Sequence, residues 1–281
     1  MQARELIFNI AITVTGRVLL ARDRLFGWIP RDGRVDASSA EVSRHAIRSG
    51  KSILDAVLVR PDSSLARASL LICHGIGETV EHWLPVQRLL AAHGVASLVF
   101  DYTGYGRSSG FFNASQSEED AVAAFSCLQG LTAPLPISLL GFSLGSGVAV
   151  AIVSKVPVHR LVLCAAFTSL RNAAVSIGLP RALVFLAPPI WEAEDALRAC
   201  PVPVLIVHGE KDRLFPARMS AELNAFCGSE SELVFVPKVA HNQPFRRPEL
   251  SYWGLIISRL RHQGGAQGYE APGWPAFPSV R

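Results

Sequence analysis

Between residues 53 and 260 the chain alternates short runs of Val, Ile and Leu with helix-like stretches, and this rhythm constrains its fold more than any other feature. Six runs read as strands, 53–60, 69–73, 96–101, 137–142, 161–165 and 204–208, and a seventh, 233–236, follows. They lack the polar alternation of a half-solvated strand, so both faces must be covered, as in a parallel sheet with helices on each side. After Thr79, Trp83, Val86 and Leu90 recur at spacings of three and four, and Gly94 stops the helix. Another helix is expected to open at Ser115 with Glu118 three residues on, a capping-box pattern, and to bury Val122, Phe125 and Leu128. Strand and helix taken in turn make βαβ units, hence an α/β fold with a doubly wound, mostly parallel sheet.

Two stretches break the rhythm. Residues 171–200 are longer than a plain crossover and read as a small cap over the carboxyl edge of the sheet. Residues 263–281 mix Gly, Ala and Pro with Trp274 and Phe277 at no period, which predicts a flexible tail. The expected organisation is an N-terminal segment, 1–52, packed on or preceding the core, then an α/β domain over 53–262, then the tail.

With 49% hydrophobic and 18% charged residues, the chain can fill a large core and is not a disordered sequence. Its net charge of +4 comes from Lys and Arg scattered without a basic run. That excludes the basic stripe a nucleic-acid binder needs and leaves a mildly basic surface. Cys73, Cys127, Cys164, Cys200 and Cys227 are odd in number and form no CxxC pair. Core thiols in a reducing compartment fit better than a disulfide framework, which points to the cytoplasm. Residues 6–14 are apolar but too short to span a bilayer, which takes about 20 such residues. They are read as a helix packed on the domain, with membrane association at a bilayer surface as the alternative.

The chemistry is concentrated in Gly141-Phe142-Ser143-Leu144-Gly145, which follows the strand-like residues 137–140 and precedes a good helix. That is the setting of a nucleophile elbow, where a serine takes a strained conformation in a tight strand-to-helix turn. Its neighbours two residues away must be small, and the helix that begins there aims amides and its positive dipole end at the reacting oxygen. A serine hydroxyl needs a base, and His241, just past the last strand, is the candidate. Asp212, in His208-Gly209-Glu210-Lys211-Asp212, is the candidate orienting acid, with Glu210 and Asp195 as weaker choices. The order Ser143, Asp212, His241 is the chain order expected of a fold built around that elbow. The amides of Leu144 and of Ile76, in His74-Gly75-Ile76-Gly77-Glu78, are the candidate oxyanion donors. His74 is read as structural. In the cap, Leu179, Leu183, Phe185, Leu186 and Trp191 sit around the stiff pair Pro188-Pro189, and Leu179, Phe185 and Trp191 are expected to bind the acyl part of a substrate.

Together with His74-Gly75, the elbow and the segment around Asp212, the stretches Asp101-Tyr102-Thr103-Gly104-Tyr105-Gly106-Arg107-Ser108 and Phe167-Thr168-Ser169-Leu170 carry a resemblance. Over roughly residues 53–260 the chain resembles the compact α/β-hydrolases with a minimal cap, a group that includes depalmitoylating thioesterases and bacterial relatives. The resemblance implies the α/β-hydrolase fold, a serine esterase or thioesterase acting through an acyl-enzyme intermediate, a structural role for Asp101, and no metal or cofactor. At Ile76 and Glu78 the chain departs from the eukaryotic depalmitoylases, which leaves the acyl substrate open. The partner expected is a small-molecule or acyl ester substrate, with no nucleic acid.

Other readings fail or recede. Gly75-Ile76-Gly77 with Asp101 imitates a dinucleotide fingerprint, but Val80 stands where the third glycine belongs. Gly50-Lys51-Ser52 lacks the earlier glycine of a phosphate loop, since His45 occupies that place. No His/Cys cluster has zinc spacing. A serine peptidase of related architecture and a catalytically inactive binding module remain as alternatives.

Overall fold

The computed structural model describes residues 40–62 and 65–261, together with residues 7, 9–11, 13–15 and 18 of a helical N-terminal stretch. The tail assigned to 263–281 lies outside the described residues. Among them, eight strands form one sheet in the order β1-β2-β4-β3-β5-β6-β7-β8. These are β1 (Glu41–Ser49), β2 (Ser52–Arg60), β3 (Ala68–Cys73), β4 (Val95–Phe100), β5 (Ile137–Phe142), β6 (Leu161–Cys164), β7 (Val204–Gly209) and β8 (Ser231–Val236). The pairs β1–β2 and β2–β4 are antiparallel and all the others parallel, so the doubly wound, mostly parallel sheet expected from the sequence is present.

The apolar runs lack polar alternation because the sheet has a hydrophobic layer on each face. Along β3, Leu71 joins one layer while Leu70 and Ile72 join the other. The first layer is closed by α2 (Ala114–Thr132), α3 (Leu144–Ile152), α5 (Ala193–Arg198) and α6 (Ala217–Phe226); α1 (Val80–Ala92), α7 (Gln243–Arg246) and α8 (Leu250–Arg261) close the second. Trp83, Val86 and Leu90 of α1 are all fully buried, as their spacing requires. Gly94 follows that helix with φ +79°, a left-handed conformation that favours glycine.

The structure departs from the sequence reading at two places. Strand β1 falls inside the segment assigned to 1–52, and pairs over its whole length with β2. Its residues are mostly polar and it lies at the sheet edge, so it lacks the apolar run by which the other strands were recognised. Gly50 at φ +53° and Lys51 turn it into β2, so the segment that imitates a phosphate loop is a hairpin turn. The helix expected to open at Ser115 opens at Ala114. Asn113 is its cap, accepting the amides of Ser115 and Gln116, while Glu118 pairs with Lys155 instead of closing a capping box.

Between β6 and β7 the cap consists of α4 (Leu170–Ser176), a 3₁₀ turn (Arg181–Leu186) and α5. At the N-terminus, Asn9 is buried and its side-chain oxygen accepts the Ala114 amide at 3.2 Å, while Ile7, Ile10, Val14 and Val18 face solvent. No described helix is long and apolar enough to cross a membrane. All five cysteines are free.

Candidate active site

The parallel strands end along one edge, and the residues of interest come from the loops there. Ser143 follows β5 directly and precedes α3, with φ +51° and its amide bonded to the Cys164 carbonyl at 3.0 Å. A left-handed serine is strained, and the neighbouring packing sustains it. A Cβ on Gly141 would lie 2.5 Å from the Gly145 carbonyl oxygen, and one on Gly145 would collide with the carbonyl oxygen of Cys73. The elbow can therefore form only with glycine at both places, and it is pressed against the loop that follows β3.

His241, after β8, brings Nε2 to 3.0 Å from the Ser143 hydroxyl and Nδ1 to 2.7 Å from Asp212 Oδ2. The other carboxylate oxygen of Asp212 accepts the amides of Leu214 and Phe215 at 2.8 and 3.0 Å. Burial pushes the Asp212 carboxyl up. The hydrogen bond and charge of His241, with the two amides, outweigh it and hold the group below the usual carboxylate range. Asp212 thus stays an anion at the imidazole. Rings of Phe142 and Phe215 flank His241, each with its centroid 5.4 Å away. The two weaker acid candidates behave differently: Glu210 and Asp195 are exposed, and neither makes a hydrogen bond to His241.

A second histidine supports the acid. His208, at the end of β7, is fully buried, with Nε2 3.1 Å from the Phe215 carbonyl and Nδ1 2.8 Å from the Ser220 hydroxyl. Burial holds its pKa down, so it is neutral; Nε2–H donates to the carbonyl and Nδ1 accepts from the serine. This fixes the 212–215 turn from behind. Nothing in the sequence singles out Ser220, which becomes a neighbour of His208 only when α6 packs on the sheet.

The loop after β3 lies against the elbow. His74 is buried beside Asp101, with Nε2 3.7 Å from Oδ1, and its carbonyl accepts the Tyr102 hydroxyl at 3.1 Å. Asp101 in turn accepts the amides of Val80 and Arg107, which ties α1 to the 101–108 loop. The Ile76 and Leu144 amides are used in no other hydrogen bond among the described residues. Glu78, noted in the sequence only as a departure from depalmitoylases, proves to be buried under this loop. No group of three or more His, Cys, Asp or Glu among the described residues is placed to hold a metal ion.

The three cap residues named from the sequence have separate surroundings. Leu179 is half-buried and Phe185 is 49% exposed. Trp191 is buried, at φ +54°, with its indole against Gly147 of α3 and 6.5 Å from the Phe167 ring. It anchors the base of the cap on the helix behind Ser143.

Residues 64–192 match the family described as serine aminopeptidase, S33. An uncharacterized protein of Mycobacterium tuberculosis is 32% identical over 184 residues, 63% of each chain. The lysophosphatidylserine lipase ABHD12 of Danio rerio is 28% identical over 174 residues, 55% of this chain and 46% of the fish protein. The chain thus spans less than two thirds of the length of these relatives. Among solved structures, Est1E from Butyrivibrio proteoclasticus with bound ferulic acid superposes with a TM-score of 0.64 at 23% identity, covering 77% of this chain and 96% of Est1E. With its sheet order, its strand-to-helix elbow and this structural likeness, the chain has the α/β-hydrolase fold.

Proposed function

We propose that the protein is a serine hydrolase that cleaves a carboxylic ester or thioester through an acyl-enzyme intermediate. The observation that carries this reading is the continuous series from Asp212 through His241 to the Ser143 hydroxyl, with links of 2.7 and 3.0 Å. Neutral His241 takes the hydroxyl proton at Nε2 as Ser143 Oγ attacks the carbonyl carbon. The electron pair of the carbonyl moves onto its oxygen, which the Ile76 and Leu144 amides receive. Asp212 holds Nδ1–H and stabilises the imidazolium. As the tetrahedral species collapses, His241 returns the proton to the leaving alcohol or thiol, and Ser143 keeps the acyl group. A water molecule then repeats the sequence with His241 as base, and the acid is released.

The leaning towards esters rests on the cap. It is built from three short helical pieces, with Ile177, Leu183, Phe185 and Leu186 facing solvent beside the carboxyl edge of the sheet. A cap of that kind suits an apolar acyl chain better than a gated peptide. The lipase activity in the name of the fish relative agrees with this choice, whereas the family description favours a peptidase.

A fluorophosphonate probe tests the reading. The wild-type protein should be labelled, and Ser143→Ala should lose all labelling and about 10⁴-fold or more in kcat while unfolding as the wild type does. Normal turnover by the alanine variant would sink it. Peptide p-nitroanilides cleaved faster than esters would favour the peptidase.

A further inference from the structure

We propose, resting on the serine-hydrolase reading above, that Glu78 is a positioning residue that fixes the oxyanion loop through the Gly75 amide. A carboxylate with only 5% of its residue surface exposed is costly unless donors surround it. Here one oxygen, Oε2, accepts both the Gly75 amide at 2.9 Å and the Trp83 indole Nε1–H at 2.8 Å. The first donor belongs to the loop that carries Ile76, and the second belongs to α1. Glu78 therefore joins the loop to the helix through its own side chain.

The anchor on the far side is rigid. Trp83 is fully buried, and its ring lies 5.5 Å from Phe142, 5.7 Å from Phe245 and 6.1 Å from Trp253. Phe142 directly precedes Ser143 and also packs on His241. The aromatic cluster behind the nucleophile and the base thus also holds the indole that holds Glu78. Position along the loop is set by two glycines. A Cβ on Gly75 would lie 2.5 Å from Glu78 Oε1, and Gly77, at φ +75°, turns the chain back towards the carboxylate. The Gly75 amide is consumed inside this turn, and the next one, at Ile76, is left for a ligand.

An apolar side chain at 78 would orphan two buried donors, and the loop would rearrange to satisfy the Gly75 amide. The oxyanion would then meet a displaced Ile76 amide. Such a displacement weakens transition-state binding and leaves ground-state binding alone, because the developing charge exists only in the former.

The experiment compares Glu78→Met, which keeps length without an acceptor, with Glu78→Gln, which keeps an oxygen for both donors. With a p-nitrophenyl ester, Glu78→Met should lower kcat about 10- to 100-fold, less than or comparable to deleting one oxyanion donor outright. KM should stay within about twofold, and Glu78→Gln should restore most of kcat. A trifluoromethyl ketone, which adds to Ser143 and puts an oxyanion in the hole, should lose affinity for Glu78→Met in step with kcat. The product carboxylic acid should not. Trp83→Phe, which removes one donor and keeps an aromatic ring, should show the same pattern more weakly, and it serves if Glu78→Met unfolds at the assay temperature. Wild-type kcat and ketone affinity in the variants, or a loss in KM that Gln does not rescue, overturns the role of Glu78. Labelling of Ser143 in the wild type shows that such a failure concerns Glu78 alone; a wild type that is not labelled overturns the hydrolase reading and this proposal with it.

Discussion

The indole of Trp191 lies so close to α3 that a Cβ on Gly147 would come within 2.9 Å of three of its ring atoms. Trp191 carries the cap and Gly147 sits four residues after Ser143, so this contact couples cap position to the helix of the elbow. Gly147→Ala should displace the indole and destabilise the fold by about 1–3 kcal/mol, the usual range for overpacking a core. Because Ser143, His241 and Asp212 are untouched, the effect on activity should appear mainly in KM for long-chain esters. Urea unfolding together with steady-state kinetics checks both parts, and unchanged stability would mean the indole has another place to go.

Asp212 and Glu210 lie two residues apart, and only Asp212 reaches His241. Asp212→Asn would present an amide to Nδ1 and favour the wrong imidazole tautomer. A loss of about 10⁴-fold in kcat is expected by analogy with other triads. Glu210→Gln, on an exposed side chain, should leave kcat within about twofold. Esterase assays of the two purified variants decide it, and the reverse ranking would transfer the role of the acid.

His74 and Asp101 should have opposite effects on the pH dependence of stability. Burial, with the charge of Glu81, raises the Asp101 carboxyl to about 7, and burial lowers His74 to about 4. Between roughly pH 4 and 6.5 the unfolded chain holds a proton on His74 and has released the one on Asp101. The folded chain does the opposite, so each state holds one proton on the pair and the two slopes cancel. Asp101→Asn leaves only the histidine, whose unfolded form binds more protons, so stability relative to wild type should rise with pH across that window. His74→Gln leaves only the carboxyl, whose folded form binds more, so stability relative to wild type should fall as pH rises from about 4 to about 6.5. Urea unfolding of the three proteins at several pH values gives the slopes. Parallel curves for all three would refute the assigned shifts.

An acyl chain received by the cap would gain up to about 0.8 kcal/mol for each methylene it buries. kcat/KM for p-nitrophenyl esters should then rise several-fold per carbon pair until the apolar surface is filled. Phe185→Ser should flatten the long-chain end of that series and leave acetate unchanged. A preference for acetate in the wild type would instead describe a cap that closes the site, and a small-ester esterase.

Much of this was legible in the chain itself. Seven of the eight strands announce themselves because a strand buried on both faces must be apolar throughout, and Ser143 is marked because its turn tolerates only glycine at 141 and 145. The order Ser143, Asp212, His241 could be read because each follows its own strand. Strand β1 was not legible, since a mostly polar edge strand is defined by its pairing with β2 and not by its composition. The cap of α2 at Asn113, in place of Ser115, was a choice between polar residues two positions apart that only backbone geometry resolves. Tertiary structure alone decided the distances among Ser143, His241 and Asp212, which come from three loops and meet because a parallel sheet gathers its strand ends on one edge. It also decided that Trp191 anchors the cap, that Ser220 reaches His208, and that Glu78 turns inward to Gly75 and Trp83. Hydrogen bonds between residues far apart in the chain, or between a loop and the side chain that closes it, depend on packing that no local pattern encodes.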